Sequence, residues 1–202
     1  MLQYIVKTSD TESILAQARE AIGAGVRWIE LKIDDSVSDD SLEDIIKVLK
    51  QEAADAECAL TVASRVELAK STQIDGVQLY SGDESAAAAR VTLDGGPIIG
   101  VSVSSQDEVE RTMHLDVDYF RFEPVFGDNS DNLALTTSIL KMLHDNSIYK
   151  PLAVAGGIKS VDNVSAALKA GAAGVAVDSS IASADKSIKD ALKELLSYLE
   201  KP

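Results

Sequence analysis

The chain has 202 residues, 46% hydrophobic and 26% charged, a balance that excludes a disordered or fibrous protein. Its 19 Lys and Arg against 33 Asp and Glu give a formal net charge of −14, which repels nucleic-acid backbones and anionic lipid and sets both aside as partners. A single cysteine, Cys58, leaves no intramolecular disulfide, and the opening MLQYIVKTSD has no basic segment leading into a long apolar run, so a cytoplasmic protein is expected.

Eight short apolar runs alternate with helical patterns, which predicts a parallel sheet. Strands are expected at residues 2–8, 27–33, 58–63, 75–80, 97–103, 118–125, 151–156 and 174–179. The first runs directly into Asp10 and Thr11 with no GxGxxG fingerprint, which disfavours an open dinucleotide-binding sheet. In the second helix Ser38 can cap a stripe of Leu42, Ile45, Ile46 and Leu49 at i, i+3, i+4, i+7. The last helix is expected to start at Ser183 and to carry Ile188, Ala191, Leu192, Leu195, Leu196 and Leu199 on one side. No break in composition divides the chain. Residues 1–202 are therefore read as one α/β domain, a (β/α)8 TIM barrel near the short end of that fold's length range.

Alternation along a barrel strand sorts side chains between the outer helices and the interior. Ile29, Leu31 and Ile33 then face helices, and Glu30, Lys32 and Asp34 face inward or onto the mouth. Phe120 and Phe122 face out, whereas Tyr119, Arg121 and Glu123 face in, as do Gln78 and Tyr80. Charges inside a barrel need partners, so Glu30, Lys32, Arg121 and Glu123 are expected to form a network. That network is either a structural ionic core or the lining of a polar pocket at the strand carboxyl ends.

A second signal concerns phosphate. After the seventh strand come Gly156, Gly157 and Ile158, with Ser160 placed to cap the next helix and Asn163 three residues on; after the eighth come Asp178, Ser179 and Ser180. Glycines let the backbone approach a ligand, and converging N–H groups hold an anion without basic side chains. This suits a small phosphorylated substrate on an acidic protein. A tight turn with no ligand is the plainer alternative.

Other residues read as structural. His114 and His144 fall at the bottom of the barrel and in the sixth helix, Cys58 opens the third strand, and Trp28 reads as packing. Asp34, Asp35 and the cluster Asp128, Asn129, Ser130, Asp131 and Asn132 sit at the mouth and read first as solvated loop acids.

Five landmarks in register give a resemblance. DGVQL at 75–79 is similar to DGVHL, IIGVSV at 98–103 to iiGvSv, DYFRFEPVF at 118–126 to DYigfGPvF, AVAGGI at 153–158 to vaiGGI, and AGAAGVAVDSSI at 170–181 to aGAdGvAVvsaI. Together they resemble the thiamine phosphate synthase and thiazole tautomerase (TenI-like) family over nearly the whole chain. The resemblance implies a barrel that joins an aminopyrimidine pyrophosphate to a thiazole phosphate, with Mg²⁺ assisting departure of pyrophosphate and no covalent enzyme intermediate. It also implies that the backbone at Gly157, Asp178 and Ser179 holds the thiazole phosphate, that Ser102 touches the pyrimidine, and that Asp83 is a Mg²⁺ ligand. The chain departs from the family where QLReK reads Glu30–Leu31–Lys32–Ile33–Asp34, where NDR reads Ala63–Ser64–Arg65, and where a TxTK loop reads Asp128–Asn129–Ser130–Asp131. The tautomerase histidine position is Ser104.

Three functions follow as expectations: a thiamine-biosynthesis enzyme, synthase or tautomerase; a phosphate-binding barrel without the chemistry, a sensor or remnant; and a sugar-phosphate lyase or isomerase. For the last, Glu30 and the FRFEP segment faintly resemble the keto-deoxy-sugar-phosphate aldolases, but Arg121 stands where their Schiff-base lysine would be expected, and Lys32 could substitute only with a lowered pKa. Self-association into a homo-oligomer is compatible with each.

Overall fold

The computed structural model describes residues 1–127 and 132–200. Eight parallel strands close into a barrel in sequence order: β1 (Leu2–Val6), β2 (Trp28–Leu31), β3 (Ala59–Ala63), β4 (Gly76–Leu79), β5 (Ile98–Val103), β6 (Tyr119–Phe122), β7 (Leu152–Ala155) and β8 (Gly174–Val177). Closure comes from β1 pairing with β8, Leu2 opposite Val175 and Tyr4 opposite Val177. The helices are α1 (Thr11–Ala24), α2 (Asp39–Asp55), α3 (Val66–Thr72), α4 (Ala86–Thr92), α5 (Gln106–Thr112), α6 (Leu133–Asp145), α7 (Val161–Lys169) and α8 (Ile188–Leu199).

All the expected strands exist, shortened mainly at their carboxyl ends, where the chain leaves the sheet to build the mouth. The sixth stops at Phe122 rather than 125 because Pro124, two residues on and the next to face β7, has no N–H to give a ladder. Ser38 caps α2 by accepting from the Ser41 N–H, and Leu42, Ile45, Ile46 and Leu49 are buried as the spacing requires. Asp10, Ser85, Ser105, Ser160 and Ser187 cap α1, α4, α5, α7 and α8 in the same way. The last of these corrects the expected start of α8. Ser183 is instead tied into a small bridge with Lys186, which leaves Ser187 directly ahead of the apolar stripe.

The parity reading holds. Ile29, Leu31, Phe120 and Phe122 are fully buried between strands and helices. Inside the barrel, Gln3, Glu30, Thr61, Gln78, Tyr119 and Arg121 are buried polar groups, while Ala153, Ala155 and Ala176 are small. Large polar chains thus share the lumen with a side lined by alanine, which leaves room for one long guanidinium. Gly100 on β5 is part of this fit: a Cβ there would lie 2.3 Å from the Tyr119 ring and 2.4 Å from the Gln78 side chain. Gly100→Ala therefore overpacks the lumen, and a loss of about 1–3 kcal/mol is expected in urea unfolding.

Candidate active site

The floor of the barrel mouth is an ionic network whose central pair has no access to water. Arg121 and Glu30 side chains are both 0% exposed and paired through Nη1 and Oε2. Gln3 donates to the same carboxylate oxygen at 3.2 Å and accepts from Arg121 Nη1 at 3.2 Å. The Tyr80 hydroxyl donates to Glu30 Oε1 at 2.6 Å and accepts from Arg121 Nη2, which also reaches Ser102 Oγ at 3.3 Å and Glu123 Oε1 at 3.2 Å. Ser102 in turn accepts from Gln78 at 3.0 Å, and Gln78 accepts from Tyr119.

Burial of a charge costs several kcal/mol, and a network of this kind survives because nearly every lone pair and proton is used. Burial opposes the Arg121 charge, but Glu30, Tyr80 and Glu123 outweigh it and hold the guanidinium ionised. Burial, and then the Glu30 carboxylate, keep the Tyr80 phenol protonated well above its ordinary range.

Lys32 departs from the expected ion network. Its Nζ lies 3.6 Å from the centre of the Tyr80 ring, a cation–π seat, and it has no ion-pair partner among the described residues. Burial lowers its pKa, opposed by Glu123 and Glu30. The reason is reach: Arg121 occupies the Glu30 oxygens from the opposite side, so Lys32 rises toward the mouth.

Above this floor lie two adjoining cavities. The smaller, about 140 Å³, is lined by Ile5, Ala155 and Ala176 beneath, by Gly156, Gly157, Ile158, Asp178 and Ser180 from the last two strand ends, and by Lys7, Lys32 and Glu123. The larger, about 520 Å³, is bounded by Lys7, Lys32, Asp34, Ser64, Arg65 and Tyr80. Lys7 and Lys32 line both.

Gly157 has φ +72, and a Cβ there would lie 2.2 Å from the Phe126 carbonyl oxygen, so only glycine makes this turn. Among the described residues the N–H groups of Gly157, Ile158 and Ser179 donate to no protein acceptor. Ser180 differs, because its N–H is taken at 2.9 Å by the Asp178 carboxylate. Ser160 caps α7 through the Asn163 N–H, as the spacing predicts. The cavity thus combines amines and free amides with two carboxylates that are already engaged, Glu123 with Arg121 and Asp178 with the Ser180 N–H.

The predicted residues therefore separate into groups. Lys32, Glu123, Gly156, Gly157, Asp178 and Ser180 meet at the smaller cavity, with Ser179 between two of its lining residues. Glu30 and Arg121 lie beneath and line neither cavity, in keeping with an ionic core. Ser102 joins that network and opens on a lateral cleft with Tyr80, Glu108 and Arg111.

Asp83 closes the turn after β4 by accepting the Tyr80 N–H at 2.7 Å. No three His, Cys, Asp or Glu side chains gather into a metal cluster among the described residues. These residues do not form a Mg²⁺ cage. Asp128, Asn129, Ser130 and Asp131 lie outside the described residues, and Asn132 binds the Pro124 carbonyl at 2.9 Å.

Sequence reasoning passed over Lys7 and named Ser64 and Arg65 only where they stand against the family's NDR. Lys7 was legible by parity, two steps beyond Gln3 and Ile5 on the inward face. Arg65 is spent on structure, holding the Asp34 and Val37 carbonyls at 3.0 and 2.9 Å and pairing with Asp39. Cys58 is buried, its thiol pushed by burial to about 11, and Trp28 packs edge-on to Tyr119 at 5.0 Å.

The sequence profile of the family described as "Thiamine monophosphate synthase" matches residues 2–181. The chain belongs to that family. Relatives named thiamine-phosphate synthase include those of Phocaeicola vulgatus, 30% identical over 187 residues (89% of this chain, 89% of that one), and Bacteroides fragilis, 30% identical over 196 residues (94% and 95%). The solved structure of a thiamine phosphate pyrophosphorylase from Pyrococcus furiosus superposes with a TM-score of 0.84 at 26% identity, covering 98% of this chain and 95% of that one. Membership fits the order of the five landmarks, and the barrel places four of the departures from the family pattern, Lys32, Asp34, Ala63 and Ser64, around the larger cavity, beside the retained Arg65.

Two outcomes follow. Arg121→Met strands a buried Glu30 charge and is expected to cost about 3–5 kcal/mol in urea unfolding, with part of the loss recovered in the Glu30→Gln/Arg121→Met double variant. With its pKa raised, the Cys58 thiol stays protonated at pH 8, so iodoacetamide should label the native protein far more slowly than the urea-unfolded chain, as followed by intact mass.

Proposed function

We propose that this chain is an enzyme of thiamine biosynthesis that joins a thiazole phosphate, held in the smaller cavity, to an aminopyrimidine pyrophosphate seated in the larger one. The observation that carries the reading is the pair of adjoining cavities sharing Lys7 and Lys32, with Gly157 and Ile158, whose amides are free, at one end of the smaller and the free amide of Ser179 between its lining residues Asp178 and Ser180. Free N–H groups at a glycine turn and at the turn after β8 suit a phosphate. Two amines at the junction suit the charge of a second, diphosphate-bearing substrate as its leaving group departs. The synthase names of the 30% identical relatives support coupling over other chemistry.

Within this reading, Gly156 and Gly157 shape the phosphate seat, with Asp178 fixing the opposite turn through the Ser180 N–H. Lys7 and Lys32 neutralise anionic oxygens. Glu123, Ser102, Glu30 and Arg121 hold the floor against which the rings are oriented, which reduces the entropy of bringing two substrates together. Asp83, the carboxylate that the resemblance assigns to Mg²⁺, already accepts the Tyr80 N–H of its own turn, and no further carboxylates gather beside it into a metal cluster among the described residues. Tautomerisation is less well supported, because the Ser104 hydroxyl donates to Glu108 at 3.0 Å and no histidine lines the cavities. A cytoplasmic setting fits the lone, unpaired Cys58.

The second reading, a phosphate-binding barrel without turnover, draws on Arg65, whose commitment to the loop after β2 removes one cation from the larger cavity. Calorimetry with thiazole phosphate and a turnover assay with both precursors, with and without Mg²⁺, separate the two. Coupling predicts saturable binding and product formation. Binding with background turnover gives the second reading, and absence of binding sinks both. Gly157→Val is expected to weaken thiazole phosphate binding at least about tenfold by displacing the turn, and Lys7→Gln or Lys32→Gln to weaken the pyrophosphate substrate by about 10–100-fold each.

A further inference from the structure

Tyr80 connects the dry floor of the barrel to its mouth. Its hydroxyl is held between Glu30 Oε1, at 2.6 Å, and Arg121 Nη2, and its ring carries the Lys32 Nζ at 3.6 Å from its centre. The ring also borders the larger cavity, and Lys32 borders both. A lysine has a long flexible stem and ordinarily carries its ammonium out to water. Here the stem is half-buried and the ammonium rests on an aromatic face whose orientation is fixed from below by an ion pair with no exposure.

We infer that Tyr80 is a positioning residue, whose clamped ring holds the Lys32 ammonium at the junction of the two cavities. The inference rests on the reading of the smaller cavity as an anion seat. Glu123 lines that same cavity, and its carboxylate is the competing partner for Lys32. The ring face offers the ammonium an attractive seat that leaves its N–H groups pointing at ligand. Without the ring, Lys32 turns to Glu123, and the cation that an incoming anion would meet is neutralised. Tyr80 is thus tied to affinity through Lys32 alone, which distinguishes it from a residue that merely fills space.

A double-variant cycle tests this, with inorganic phosphate as the probe and calorimetry as the readout. Tyr80→Met and Tyr80→Leu, each made in the parent and in a Lys32→Gln background, remove the ring, so a folding failure of one leaves the cycle intact. In the parent, ring removal is expected to weaken phosphate binding by about 3–10-fold, within the range of a cation–π contact. Lys32→Gln alone is expected to weaken it about tenfold. Ring removal on top of Lys32→Gln changes the affinity by less than about twofold, and Tyr80→Phe, which keeps the ring, stays within about twofold of the parent. Equal losses in both backgrounds, or no loss in the parent, overturn the inference while leaving the anion seat standing. Failure of phosphate to bind the parent protein removes the anion seat and this inference with it.

Discussion

Arg121 carries a positive charge into the centre of the barrel, where its side chain and that of Glu30 have no exposure at all, and the rest of the lumen is arranged to make that tolerable. Gln3, Tyr80, Ser102 and Glu123 all turn toward the pair, and the adjoining wall on β7 and β8 is thinned to Ala153, Ala155 and Ala176. A low-dielectric interior makes such a group of contacts stiff, since losing any one partner exposes the desolvation cost of the others. The stiffness is useful above. Tyr80 and Glu123 are held from below, and they in turn set the edges of the two cavities.

The charge balance gives the mouth its logic. A protein with a net charge of −14 does not attract an anionic substrate at long range, so affinity has to come from groups that act within a few ångströms. Free backbone amides at the Gly157 and Ser179 turns, with Lys7 and Lys32 beside them, are such groups. Their placement at the ends of β7, β8, β1 and β2 follows from barrel closure, which brings the last strands against the first.

Much of this was readable before any coordinates. The alternation of apolar runs fixed eight strands, and period-2 parity put Glu30, Gln78, Tyr119 and Arg121 inside, because a strand side chain has only two directions to point. Ser38 and Ser160 announced their helices through the residues that follow them. Ser183 misled, because a serine near an apolar stripe looks like a cap until one sees that its backbone is already bridged to Lys186. The partner of Lys32 was not readable either. Parity says that it faces inward, but whether it meets Glu30 or the Tyr80 ring depends on Arg121 arriving from across the lumen, a non-local fact. Lys7 was within reach of the same parity argument, inside the strand expected at 2–8, and was passed over because parity was applied only to the second, fourth and sixth strands.

The central claim is that unpaired amides of two neighbouring turns accept an oxyanion. An amide-resolved ¹H–¹⁵N NMR titration of the unmodified protein with inorganic phosphate tests it most directly. The account predicts saturable shifts of the Gly157, Ile158 and Ser179 amide signals with one common dissociation constant, with the Ser180 amide, already held by Asp178, moving less. Shifts scattered over surface lysines, or none at the two turns at saturating phosphate, would contradict it.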